Sequence, residues 1–259
     1  MTRELEVAVA AAEAAGEVLR DGFGRQHQIE CKGEADLVTE VDGEAEQKIA
    51  EVLREAFPDH GMLTEEGGET QGQGDARWIV DPLDGTTNYT HGVQLFCTSV
   101  ALERADEVGV GVVHEPLANE TYAAERGCGA TLNSKGIAVS DTDEPARALL
   151  GTSFADRPEE LEAGLDLFGR FAGLARGVRR LCSGVLDLRY VAAGRLDGCY
   201  EQGFSAWDVA AGVLIIEEAG GKATDHQGGG LDPEDSEGLV ASNGPLHPDL
   251  IRVTGEYRC

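Results

Sequence analysis

The chain is short of positive charge. Its 259 residues carry 21 Lys plus Arg against 48 Asp plus Glu, a formal charge of −27. Only Lys32, Lys48, Lys135 and Lys222 are lysines, and the arginines are scattered along the whole length. No basic stripe exists to hold a phosphate backbone, and a field this negative repels nucleic acid and anionic membrane surfaces, so both partner classes are excluded. Cys-x-x-Cys pairs and zinc-ligand spacings are missing, so the six cysteines, at 31, 97, 128, 182, 199 and 259, are expected to be reduced, mostly buried small hydrophobes. The N-terminal stretch lacks a basic segment followed by an apolar run, and no apolar stretch is long enough for a membrane span. A soluble, cytoplasmic protein is expected.

What is present argues for a folded protein. With 41% hydrophobic and 27% charged residues the composition is near the globular average, which excludes wholesale disorder. At roughly 150 residues per domain, the length allows one large domain or two moderate ones. Self-repulsion of the net charge destabilises the compact state at low ionic strength, which points to a protein adapted to concentrated salt; an acidic mesophilic protein is the alternative.

Leu5, Ala8, Ala12, Ala15 and Leu19 recur at three- and four-residue steps and predict a helix ending near Gly22 and Gly24. Val41, Ala45, Ile49, Val52, Leu53 and Ala56 predict a second, stopping before Pro58, with Asp42 at its first turn. Short β-rich runs at 78–80, 96–102, 108–114 and 121–124 then read as an antiparallel meander. After the polar connector 141–145 the pattern alternates: strands at 148–153, 199–202, 222–224 and 239–241, and helices at 159–176, 183–193 and 208–219. The expected division is an α+β half over residues 1–140 and an α/β half over 141–259.

The most informative segment is Trp78-Ile79-Val80-Asp81-Pro82-Leu83-Asp84-Gly85-Thr86-Thr87-Asn88-Tyr89. An apolar strand delivers Asp81 to its end, Pro82 is expected to stop the pairing, and Asp84 returns after a turn, so two carboxylates converge. Gly85 permits close backbone approach, and the N–H groups of Gly85 and Thr86 face an anion if a helix starts there. Hard cations want oxygen ligands, and Mg2+ takes one or two carboxylates plus water and substrate phosphate. On the dipeptides alone, Asp-Pro and Asp-Gly are ordinary turns. Further acids change the balance: Glu65-Glu66 follows an apolar step, and Asp208 opens a strongly apolar helix, where by itself it reads as an N-cap worth about 1 kcal/mol.

The segment Asp81-Pro82-Leu83-Asp84-Gly85-Thr86, with Glu65-Glu66 upstream and Trp207-Asp208-Val209-Ala210-Ala211-Gly212 downstream, resembles the inositol monophosphatase family of metal-dependent, lithium-sensitive phosphatases. The resemblance extends in order over nearly the whole chain, including Asp36–Asp42, Val108–Val113 and Arg179–Gly198. It implies a layered αβαβα sandwich, a homodimer, and two to three Mg2+ ions per site. Glu65, Asp81 and the Leu83 carbonyl match the first metal site; Asp81, Asp84 and Asp208 match the second, where lithium is expected to act; Glu65 also helps hold a third ion. Asp42 and Thr86 match the pair that orients the attacking water. Glu201 matches a residue that binds a sugar hydroxyl, Ser183 and Gly184 lie where further substrate contacts are presented, and Asp84, Gly85, Thr86 and Asp208 face the phosphate.

Some positions depart from the family pattern. Thr64 precedes the acid pair where many relatives have glycine, and Cys182-Ser183-Gly184-Val185 stands for Gly-Ser-Ala-Ala. Lys32 either approaches the metal site or is a solvated loop lysine. His60, His91, His114, His226 and His247 show no catalytic spacing, no Gly-x-Gly-x-x-Gly follows a strand, and Ser153 and Ser183 lack a nucleophile-elbow context. The expected substrate is a small phosphorylated polyol or sugar: inositol 1-phosphate first, fructose 1,6-bisphosphate second, and 3′-phosphoadenosine 5′-phosphate third, for want of an aromatic cluster to hold adenine. A regulatory, non-catalytic member of the family is the alternative of another class.

Overall fold

A computed structural model describes residues 1–25, 29–32, 36–153, 158–232 and 238–255. The chain opens with helix α1 (Arg3–Gly22), the hairpin strands β1 (Ile29–Lys32) and β2 (Asp36–Thr39), and helix α2 (Glu40–Ala56). Strands β3 (Gly61–Thr64), β4 (Gly68–Thr70) and β5 (Ala76–Asp84) follow, then the single turn α3 (Thr86–Thr90). The meander continues through β6 (Cys97–Arg104), β7 (Glu107–Glu115), β8 (Glu120–Glu125), β9 (Ala130–Leu132) and β10 (Lys135–Gly136). The remainder is β11 (Leu149–Ser153), α4 (Pro158–Leu174), β12 (Gly177–Arg179), α5 (Gly184–Ala192), β13 (Gly198–Gln202), α6 (Ala206–Glu218), β14 (Lys222–Asp225), β15 (Gly238–Ser242) and α7 (His247–Gly255).

Two large sheets and three helical layers result, with β1 and β2 forming a small two-stranded sheet of their own. The first sheet has eight strands in the order β10-β9-β8-β7-β6-β5-β3-β4, antiparallel except where β3 runs parallel to β5. Alternate residues of its strands serve opposite faces: Trp78, Val80, Val100 and Val112 pack with Leu5, Ala12, Leu19, Ile49 and Leu53 of α1 and α2, whereas Ile79, Ala101 and Val113 pack with α5 and α6. Both faces are covered, which is why these strands read as nearly unbroken apolar runs. The second sheet, ordered β12-β11-β13-β15-β14, sets Cys199, Leu239 and Ala241 against α5 and α6. Its other face, with Leu150, Tyr200 and Val240, meets Leu167 and Phe171 of α4 and Leu246 and Leu250 beside and on α7. The order helix, sheet, helix, sheet, helix is the expected αβαβα sandwich. A Cβ at Gly111 would lie 2.8 Å from the Ala211 carbonyl oxygen, so glycine is what lets α6 press onto β7.

Four expectations need correction. Pro82 does not end the strand: β5 continues to Asp84 through an irregularity in its pairing with β6 between Asp81 and Asp84, with Thr98 Oγ1 donating to the Pro82 carbonyl at 3.0 Å. Proline is tolerated there because a bulge frees its position from the ladder. Asp208 is not an N-cap; Ser205 is, and Asp208 is the third helical residue, within the first turn. Strands β1, β2, β3, β4, β9, β10 and β12, with two to four residues each, are not among the expected strands because they are too short to show alternation. Among the cysteines, Cys97 and Cys199 are buried, but Cys182 is half-buried and Cys128 exposed; the Cys31 side chain and Cys259 lie outside the described residues, as does the Lys32 side chain.

Candidate active site

The bulge of β5 is the centre of the site. Asp81 is 1% exposed, and its Oδ1 accepts the Leu83 N–H at 3.0 Å, which folds the carboxylate over the Pro82 kink. Burial drives its pKa well above the usual carboxylate range, and the negative charges of Glu65, Asp84 and Asp208 push it further. The approach of the Glu65 side chain adds to the effect. Glu65 follows β3 directly, and its backbone N–H donates to the Val80 carbonyl at 3.2 Å, which carries the parallel pairing of β3 and β5 one residue further. The parallel pairing therefore brings Glu65 to Asp81, although sixteen positions separate them in the sequence.

Asp84 closes the strand. Its Oδ2 accepts from Ser183 Oγ and, at 3.0 Å, from the backbone N–H of Val185, both at the start of α5. Burial raises its pKa to about 6 against the pull of these bonds. Cys97 Sγ lies 3.8 Å from the same oxygen, and burial followed by the Asp84 charge keeps that thiol protonated. Asp208, on the first turn of α6, accepts the Ser205 N–H at 2.6 Å. Gly85 has φ +93°, and a Cβ there would lie 2.9 Å from the Leu95 carbonyl oxygen. The left-handed glycine turns the chain from β5 straight into α3, so that Thr86 opens the helix as anticipated.

Asp42 and Thr86 meet on the other side of the bulge. Asp42 sits in a capping box at the start of α2, where its Oδ2 accepts Thr39 N–H at 2.9 Å and Thr39 Oγ1 at 2.6 Å. Its Oδ1 lies 3.2 Å from Thr86 Oγ1, which also lies 3.0 Å from the Leu83 carbonyl oxygen. Burial raises the Asp42 pKa, opposed by the Thr39 bonds. Thr86 therefore directs its hydroxyl hydrogen inward and leaves its lone pairs outward.

On the far side of Asp84 lies a cavity of about 150 Å³, lined by Asp84, Ser153, Ser183, Glu201, Phe204 and Asp208 among others. Ser183 caps α5, its Oγ accepting the Leu186 N–H at 3.3 Å, and Gly184 is the first helical residue. Glu201, the penultimate residue of β13, is buried, with Oε2 3.6 Å from where a Gly184 Cβ would stand. The structure thus assembles Glu65, Asp81, Asp84 and Asp208 around one strand end, Asp42 and Thr86 on one flank, and Ser183, Gly184 and Glu201 on the other. Sequence reasoning missed Ser153 and Cys182, which also line the cavity, and Asp187, a fully buried acid on α5. A lone acid inside the apolar run Val185-Leu186-Asp187-Leu188 was the signal available for the last.

The donor set suits a hard divalent cation. Four carboxylates and the Leu83 carbonyl offer oxygen donors, three carboxylates raise Asp81, and no cation is among its leading influences. Among the described residues no three acidic, histidine or cysteine side chains already stand at metal-ligand spacing. Asp84 and Asp208 instead accept hydrogen bonds from Ser183, Val185 and Ser205.

Comparison with known proteins gives a consistent result. The profile described as "Inositol monophosphatase family" matches residues 1–258. An inositol-1-monophosphatase of Rhizobium meliloti is 44% identical over 259 residues, covering 96% of this chain and 95% of the relative. A Nus factor SuhB of Pseudomonas aeruginosa is 43% identical over 232 residues, with 86% of each chain covered. The crystal structure of the extragenic suppressor protein suhB from Bartonella henselae superposes with TM-score 0.96 at 36% identity, covering 99% of this chain and 100% of that one.

Proposed function

Because the chain belongs to the inositol monophosphatase family, a family of phosphatases, we propose that it is a magnesium-dependent phosphomonoesterase acting on a small polyol phosphate, inositol 1-phosphate first. The observation that carries the substrate choice is the cavity beside Asp84. Ser153, Ser183 and Glu201 offer hydroxyl and carboxyl partners for ring hydroxyls, and no lysine or arginine is among the described residues lining it. A second phosphate, as in fructose 1,6-bisphosphate, would face the carboxylates of Glu201 and Asp208 in this lining. Among the described residues that line it, Phe204 is the one aromatic ring.

Glu65, Asp81 and the Leu83 carbonyl would hold one Mg2+, Asp81, Asp84 and Asp208 a second, and Glu65 a third. Magnesium, when bound, neutralises the phosphoryl oxygens and lowers the pKa of water, the two needs of an otherwise very slow hydrolysis. The protein's own groups orient the reaction. Thr86, its hydroxyl hydrogen committed to Asp42 or the Leu83 carbonyl, accepts a hydrogen bond from the attacking water and fixes its lone pair toward phosphorus. Asp42, fastened by Thr39, keeps Thr86 in that sense. The N–H groups of Gly85 and Thr86 face the phosphate, while Ser183, Gly184 and Glu201 fix the polyol.

The proposed setting is the cytoplasm, as a homodimer in concentrated salt. The test is steady-state kinetics with Mg2+ in multimolar salt on the three candidate esters. The expected order of specificity constants is inositol 1-phosphate, fructose 1,6-bisphosphate, 3′-phosphoadenosine 5′-phosphate; a value for inositol 1-phosphate far below both others overturns it. A non-catalytic, regulatory role is the runner-up. The assembly of Asp42, Glu65, Asp81, Asp84, Thr86 and Asp208 at one strand end favours catalysis, and phosphate release that survives in Asp84→Asn would count against it.

A further inference from the structure

The loop that carries Ser183 to the cavity contains a backbone conformation that its own residues disfavour. Cys182 has φ +59°, in the left-handed region where a Cβ is crowded by the backbone. The other non-glycine residues with positive φ among those described are Ala105, Asp106, Asn119, Asn133 and Ser134, and all five sit in the turns between β6 and β7, β7 and β8, or β9 and β10. Cys182 lies instead between β12 and α5, where it lines the cavity. Strain of this kind persists only where the surroundings hold it.

One residue supplies that hold from across the site. Asn88, on α3, is 9% exposed, and its side-chain amide donates to the Leu181 carbonyl at 2.7 Å and to the Leu95 carbonyl at 2.8 Å. Both hydrogens of the amide are thereby committed. The first bond reaches ninety-three positions along the chain, to the peptide group just before Cys182. Just after Cys182, Ser183 Oγ and the Val185 N–H meet Asp84. The contact of Arg180 Nη1 with Cys182 Sγ at 3.3 Å is internal to the loop. We propose that Asn88 is a positioning residue: by fixing the Leu181 carbonyl it keeps Cys182 left-handed and so sets Ser183 and Gly184 at the spacing from Gly85 and Thr86 that a polyol phosphate requires. The phosphate side depends less on the amide. There the Tyr89 N–H donates to the Gly85 carbonyl at 2.9 Å and the Val93 N–H to the Asn88 carbonyl at 2.8 Å, through backbone alone. Loss of the amide therefore frees the polyol side of the cavity more than the phosphate side. The use made of this spacing rests on the functional reading above, whereas the hold on the loop rests on the contacts of Asn88.

Two measurements on magnesium-saturated protein test it. The first is the ratio of specificity constants for inositol 1-phosphate over 4-nitrophenyl phosphate, which has no ring hydroxyls. Asn88→Ala should lower the ratio about tenfold, the scale of a misplaced substrate contact. Glycine takes positive φ without strain, so in a Cys182→Gly background the same substitution should lower the ratio by about threefold or less. A merely structural residue would lower both constants together; an unchanged ratio, or an equal fall in both backgrounds, overturns the proposal. The second is amide hydrogen exchange without substrate, which needs no turnover. Asn88→Ala should speed exchange over residues 181–187 about tenfold and leave α1 unchanged, and unaltered exchange over 181–187, or equal acceleration in α1, overturns the proposal. Asn88→Asp, which at neutral pH keeps the shape and lacks both donors, carries the same expectations if the alanine variant fails to fold. Wild-type protein that leaves inositol 1-phosphate intact refutes the functional reading instead, and faster exchange confined to 181–187 in Asn88→Ala would then still support the hold on the loop.

Discussion

Helix α5 separates two buried charge clusters built on opposite principles. At its N-terminal end stand Glu65, Asp81, Asp84 and Asp208, acids that repel one another. Further along the helix Arg189, whose side chain is 0% exposed, donates to Glu115 at 2.6 Å and to the Tyr122 hydroxyl at 3.1 Å. Its guanidinium lies between the rings of Tyr122 and Tyr190, with centroids 4.9 and 4.1 Å away. The Tyr122 hydroxyl donates to Glu120 at 2.7 Å, and Glu120 is gripped by both terminal nitrogens of Arg195. The second cluster balances its own charge and joins α5 to β7 and β8. The first is left in surplus, so its acids hold protons more tightly than usual unless a cation pairs with them.

The sharpest way to break this contrast is to unbalance the second cluster. Arg189→Ala strands Glu115, whose pKa burial already raises against the pull of Arg189, and should cost about 3–5 kcal/mol of unfolding free energy. Arg189→Met combined with Glu115→Leu should recover most of that loss. Urea unfolding of magnesium-loaded protein measures both, and a single-variant loss below about 1 kcal/mol would mean the cluster is not closed in the sense argued.

Removing an acid from the first cluster should do the opposite to stability and the most to activity. Asp84→Asn should lower phosphate release by roughly 10²- to 10³-fold, the usual scale for one electrostatic partner of a transition state. The unfolding midpoint of the metal-free variant at neutral pH should rise, because one source of repulsion is gone. Parallel assays of phosphate release and thermal unfolding check the pair of outcomes, and a fall in both would place Asp84 with the structural charges.

The two clusters were unequally legible in the sequence. The first announced itself because its members carry local signals: Asp81, Asp84 and Gly85 share one strand end, and Asp208 opens an apolar helix. What brings Glu65 to them, parallel pairing of β3 with β5, leaves no periodic trace in a four-residue strand. The long helices and the meander were readable from spacing, whereas the bulge at Pro82 was not, since an X-Pro step signals a turn and a bulge alike. Asp187, Arg189 and Glu115 stayed hidden for another reason. Each is a single charge in an apolar run, and its partner is fixed only by how α5 lies across the sheet.

A pH series sharpens the contrast with a somewhat smaller effect. Burial lifts Asp84 to about 6, above its ordinary value of 3.8, so the folded metal-free protein holds that proton more tightly than the unfolded chain does. The stability this contributes is complete below about pH 4 and is lost as pH rises through about 6, a change of about 2–3 kcal/mol for a shift of this size. Metal-free protein should therefore be less stable at pH 7 than at pH 5, and saturating Mg2+ should flatten the dependence by pairing the acids with a cation. A stability that instead rises across that window without metal would deny the surplus charge its energetic meaning.

The smallest expected effect tests whether the second cluster owes its strength to burial or to charge alone. Arg195 contacts Glu120 with two bonds of 2.6 Å, better geometry than Arg189 has, yet its side chain is 42% exposed. Solvent and salt screen such a pair, so Arg195→Ala should cost no more than about 1 kcal/mol. The net charge of −27 adds a further handle. Concentrated salt relieves the general repulsion and should raise the melting temperature of the wild type, while it narrows the gap between wild type and Arg195→Ala. Arg189→Ala, buried and beyond the reach of mobile ions, should keep its gap at every salt concentration. Equal narrowing for both variants would show that the two arginines sit in the same dielectric, and the division of α5 into an open and a closed end would have to be drawn elsewhere.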